Sequence, residues 1–159
     1  MRKSAKTINL GVAGFIKTDS EGYATGELIQ VQAIESELNG ETVEQIEWIW
    51  AVESTKGTSK MYLWTRPNIN PNKYISRPEQ GEAEYSLLTQ LLLNLGLLSE
   101  NNLDQLRENP EYIEELDIDL EELQGQQFRF KLIPGKMGKP SKPDVKTIEL
   151  LTVKPDLEV

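Results

Sequence analysis

The sequence predicts a mainly β chain with a helical insert, an α+β arrangement of four strands, a helical segment and two strands. Three observations carry this. Apolar and polar residues alternate before Pro67, leucines recur at helical spacing from Leu87 to Leu106, and alternation returns after Gly125. The 159 residues fit a single domain, 1–159, with strands within about 5–66 and 126–154 and the helical insert at about 79–124. A composition of 38% hydrophobic and 27% charged residues is that of a folded chain.

Each element follows from its residues. Thr7 to Ile16 reads as a first strand, bent at Gly11 and Gly14. Leu28 to Ile34 reads as a second, with Ile29, Val31 and Ala33 on one face. Asn39-Gly40 is a hairpin signal, because both residues take positive φ cheaply. Val43 to Val52 puts Ile46, Trp48, Trp50 and Val52 on one face. Glu47 and Glu53 stand on the other, so the Trp48/Trp50 face points to the core. After a turn at Lys56-Gly57, Lys60 to Arg66 completes a meander. Pro67 to Pro78 is loop chemistry throughout.

Leu87, Leu88, Leu91, Leu92 and Leu95 then share a helical face that stops at Gly96. Ser99 caps a second short helix bearing Leu103 and Leu106. Asn109-Pro110 starts a third, and Asp117 to Leu123 adds a further turn before Gly125. Gln127 to Ile133 is a strand with Phe128, Phe130 and Leu132 on one face and Arg129 and Lys131 on the other. A basic loop, Pro134 to Pro143, leads to a last strand, Val145 to Val153. Curved strands with a helical segment before the last pair suit an OB-like small β-barrel.

The chemistry is bounded by absences. With no Cys and no His, the chain has no thiol nucleophile, no thiolate or imidazole metal site and no imidazole base. Asp117, Asp119, Glu121 and Glu122 lack the glycine and terminal glutamate of a calcium loop. Gly135 to Gly138 lacks the Gly-Lys-Ser/Thr helix start of a phosphate loop. The expectation is a non-enzymatic protein with no catalytic residue, metal or cofactor.

The net charge of −9 is unevenly placed. Residues 1–78 are neutral, 79–124 carry −12 and 125–159 carry +3. Overall acidity therefore leaves the two β segments free to meet a polyanion. Tyr62, Trp64 and Arg66 share a strand face suited to stacking on bases, and Lys73, Tyr74 and Arg77 follow in the long loop. Arg129, Lys131, Lys136 and Lys139 cluster at the last hairpin, with Lys60, Lys142 and Lys146 completing the basic set. Where the two ends meet, these residues make a groove for phosphates. Read otherwise, the cations keep edges and loops soluble, and the −12 segment is a solvated helical face.

From Glu47 to Val153 the chain resembles small proteins of bacteriophage replication modules and related bacterial loci. The matching elements are Trp48-Ile49-Trp50, Tyr62-Leu63-Trp64, Tyr85 to Leu98, and Asp119-Leu120-Glu121-Glu122-Leu123-Gln124-Gly125 before Phe128-Arg129-Phe130. The resemblance implies an OB-like fold and single-stranded DNA binding in replication or recombination. The last hairpin departs from the pattern, lacking a Gly-Lys turn followed by an aromatic. The competing expectation is an acidic adaptor, or nucleic-acid mimic, whose helical segment binds a basic partner protein. No apolar run is long enough for a signal peptide or a membrane span, so a cytoplasmic protein is expected.

Overall fold

A computed structural model describes residues 7–10, 14–136 and 140–151. Six antiparallel strands form one sheet: β1 (Tyr23–Leu38), β2 (Glu41–Ser54), β3 (Gly57–Thr65), β4 (Gln127–Ile133), β5 (Lys142–Pro143) and β6 (Glu149–Leu150). The order is β3-β2-β1-β4-β5, and β6 also pairs with β4. Between β3 and β4 lie helices α1 (Leu87–Asn94) and α2 (Glu100–Glu108) and two 3-10 turns, Pro110–Glu115 and Leu120–Leu123. The sheet is not closed: β5 packs beside β3 but shares no ladder with it. Among the described residues, no helix is long and apolar enough to cross a membrane.

The β1–β2 hairpin forms at Asn39-Gly40, with φ of 53° and 82°. Its strands run in register from Leu38↔Glu41 to Gly26↔Val52, broken by a bulge between Leu28 and Gln30. The bulge corrects the expected face. Leu28 and Val31 both point inward, while Ile29 is 39% exposed and Ala33 is also exposed, because one extra residue reverses the alternation. The expected first strand, Thr7 to Ile16, is not formed over its described residues, apart from a single bridge from Ile16 to Ser54; Gly11 lies outside them.

Trp48 and Trp50 are fully buried, as their alternation with Glu47 and Glu53 required. Their rings stack with centroids 6.1 Å apart, and Trp50 meets Phe128 and Phe130 edge-on at 5.7 and 5.6 Å. Leu88, Leu91 and Leu92 of α1 and Leu103 and Leu106 of α2 belong to the same core. Each such side chain contributes roughly 1.5–3 kcal/mol when fully buried.

Gly96 ends α1 at φ 76°, with Leu97 N donating back to Leu92 O. Ser99 and Asn102 form a reciprocal capping box at the start of α2. The third start, at Asn109-Pro110, yields a 3-10 turn rather than an α-helix, with Asn109 Oδ1 accepting from Glu111 N. The second 3-10 turn delivers Gln124 to β1. There Gln124 Oε1 accepts from Val31 N, and Gly125 N donates to Leu28 O. The helical segment is thus tied to β1 at the bulge.

The last strand is shorter than its alternation suggested. Asp144 and Thr147 form a turn: Lys146 N donates to Asp144 Oδ1, and Thr147 N to Asp144 O. Among the described residues of that strand, Glu149–Leu150 then pairs with β4, opposite Arg129 and Phe128. The expected end of that strand, Thr152-Val153, and the acidic terminal residues Asp156 and Glu158 lie outside the described residues.

Candidate nucleic-acid interface

Gly57, at φ 105°, turns the chain into β3. Period-two alternation then buries Met61, Leu63 and Thr65 and turns Lys60, Tyr62 and Trp64 outward. Tyr62 and Trp64, two residues apart on that face, stack with centroids 5.5 Å apart and planes 14° from parallel. Trp64 is 46% exposed, unlike the other two tryptophans. Glu47 stands opposite it on β2, and Trp64 Nε1 donates to Glu47 Oε2 at 3.0 Å. Glu47 Oε1 accepts from Gln32 Nε2 at 3.0 Å, so the carboxylate is itself held and the indole plane is fixed.

β3 is the edge of the sheet, and a cleft of about 410 Å³ separates it from β5. Lys60, Tyr62 and Trp64 line one wall, Pro140, Ser141 and Lys142 the other, and Leu87 of α1 closes one end. Lys60 and Lys142 make no ion pair among the described residues. Leu87 and Lys142 also border a second cleft of about 400 Å³ that extends to Tyr74, Arg77, Ile133 and Lys146. Lys146 is neutralised there by Glu84, with Nζ 2.8 Å from Oε1; that hydrogen bond and the carboxylate charge raise the lysine's pKa. Among the described residues Arg77 makes one long ion-pair contact, to Glu79 at 3.9 Å between largely exposed groups.

The expected site residues therefore divide. Tyr62 and Trp64 meet at the first cleft, and Tyr74 and Arg77 at the second. Arg66 is exposed just beyond β3 and lines neither cleft. Lys73 turns away, its Nζ 5.1 Å from the centre of the Tyr85 ring. Arg129 and Lys131 lie over Tyr23 on the outer face of β4 and β1, at 3.8 and 5.4 Å from the ring centre. Arg129 is also engaged by Glu149 at 3.4 Å and Asp19 at 3.9 Å. Lys136 is exposed and lines neither cleft, and Lys139 lies outside the described residues.

Two cations at the cleft carry more weight than their place in the sequence suggested. Lys60 shares the Tyr62/Trp64 face by simple alternation and was legible from it. Lys142 reaches the same cleft only because β5 folds back beside β3. Of the acidic residues in 79–124, only Glu84 borders either cleft, so the segment contributes walls to the clefts but little of its negative charge. Among the described residues no three carboxylates converge as a metal site would need. Comparison of the chain with protein-family models, with curated proteins and with solved structures returns no match.

Proposed function

We propose that this chain is a non-enzymatic, cytoplasmic OB-like domain that binds single-stranded nucleic acid, in keeping with its resemblance to phage replication proteins. The strand order, with the helical segment between β3 and β4 and β5 beside β3, supports an OB-like barrel left open at one seam. One observation carries the binding reading. The Tyr62–Trp64 stack, half-buried at Tyr62 and exposed at Trp64, sits in a cleft between Lys60 and Lys142, two ammonium groups without ion-pair partners among the described residues.

An unpaired base offers the π-face that such a stack needs, and flanking cations meet the phosphates on either side. A duplex presents its bases only edge-on, so the arrangement favours a single strand. Tyr74 and Arg77 would continue the path past Leu87.

The test is fluorescence anisotropy of a labelled thymidine 30-mer across a salt series, with tryptophan emission followed in parallel. Because Trp48 and Trp50 are fully buried, quenching reports on Trp64. Binding that weakens steeply with salt and quenches tryptophan supports the reading. No binding at low salt overturns it.

A further inference from the structure

A separate surface lies on the helical segment. In a 3-10 turn, residues three apart eclipse one another, so Pro110–Glu115 presents three columns. Tyr112 anchors one column: it packs against the core, and Asn102 Nδ2 donates to its hydroxyl at 3.3 Å. The second column, Pro110 and Ile113, opens on a cleft of about 310 Å³. Leu106 and the uncharged wall Pro67, Ile69 and Pro71 complete that cleft, and Ile113 is left 43% exposed. The third column carries charge, with Glu111 beside Glu114. Glu108 stands at the end of α2 and Glu115 at the end of the turn.

All four of these glutamates are exposed and none makes an ion pair among the described residues. The segment's single cation, Arg107, is held by Asp104 and by the Tyr85 hydroxyl. The site is thus an apolar slot with the turn's acidic column beside it as a neighbouring rim. It shares no lining residue with the β3/β5 cleft, and its charge repels a polyanion.

We propose that this slot docks a basic segment of a partner protein. One large apolar side chain fills the space between Ile113, Leu106 and Ile69, and flanking Lys or Arg residues lie over Glu108, Glu111 and Glu114. The complementarity has two parts. The apolar anchor supplies affinity by leaving water, and the acidic rim selects the charge around it. Neither part depends on nucleic-acid binding.

The test uses the full chain and a randomised nine-residue peptide library, with selected peptides re-measured by anisotropy. The expected peptides combine one Leu, Ile, Phe or Trp with at least two Lys or Arg. Their affinity falls about tenfold or more on Ile113→Ser, the scale of losing a small anchor. It also falls on Glu111→Lys/Glu114→Lys, while thermal melting is unchanged and thymidine 30-mer binding is not weakened. If either variant lowers the melting temperature, Ile113→Ala and Glu111→Gln/Glu114→Gln replace them. No enrichment, enrichment of peptides without that composition, or equal binding to the variants would overturn the proposal.

Discussion

Trp48 and Trp50 are adjacent on one face of β2 and equally buried, yet truncating them should have unequal costs. Trp48 Nε1 donates to Thr65 Oγ1 at 3.2 Å, whereas Trp50 Nε1 is buried with no acceptor among the described residues. Trp→Phe at either position removes the same atoms, costing roughly 1–3 kcal/mol in lost contacts and residual cavity. At Trp48 the change also loses a hydrogen bond, about 1 kcal/mol net, and leaves the buried Thr65 hydroxyl without that partner. At Trp50 it removes an unsatisfied donor, a group whose burial costs about 1–3 kcal/mol. Trp48→Phe should therefore be about 2–4 kcal/mol more destabilising than Trp50→Phe. Urea unfolding followed by circular dichroism measures both, with the difference read from the midpoints at constant m. Equal midpoints would refute the reasoning. They would mean that the ring face of Phe128 or Phe130, both edge-on to Trp50, satisfies that N–H.

Trp64→Ala should weaken 30-mer binding by about 1–3 kcal/mol without changing the salt slope, because stacking releases no counterions. Lys60→Ala/Lys142→Ala should instead lower that slope by about 1.4, at ~0.7 per phosphate contact on a single strand. Gly26→Ala should destabilise by about 1–3 kcal/mol in urea unfolding, since an added Cβ would lie 2.8 Å from Val52 Cγ1 and 3.3 Å from Ala51 O. Asp19 is held below the ordinary carboxylate pKa, chiefly by accepting from Tyr23 N and also from Glu21 N. A depressed folded-state pKa gives stability that is present above the unfolded value and lost as pH falls through the folded one. Asp19→Asn should therefore flatten the loss of stability below about pH 4 seen in acid titrations by circular dichroism.

Much of this architecture is written locally. Alternation around Trp48 and Phe128, the Asn39-Gly40 pair, Gly96 and the Ser99 cap each specify geometry through residues a few positions apart. The failures occur where local signals compete. Leu28-Ile29 is apolar at consecutive positions, so alternation could not choose between them. The bulge is fixed instead by Gly125 and Gln126, which bond the Leu28 backbone from the far end of the helical segment. The spacing from Val145 to Val153 reads as a strand, but Asp144 and Thr147 bend its start with their own hydrogen bonds.

The candidate site divides in the same way. Lys60, Tyr62 and Trp64 follow from period two. Lys142 joins them only through tertiary packing. Lys73 and Arg129 are drawn off by Tyr85 and Tyr23, which are distant in sequence. A charged residue near a motif is therefore a weak guide to a site until its competing partners are known.

β1 has a bearing on how the chain reaches this state. One of its edges pairs with β2, so β1, β2 and β3 can assemble as soon as Thr65 has been made. Its other edge, Tyr23 to Glu27, waits for Gln127 to Lys131, about 60 residues later. At ribosomal speed that is roughly 3–12 s of synthesis. Throughout that interval Trp50 lacks Phe128 and Phe130, and the β1 edge is open to any extended segment nearby. Glu27, at the end of that waiting edge, stands where a charge discourages pairing with another chain. Neutralising it should lower the yield of soluble nascent protein while leaving the finished fold almost untouched.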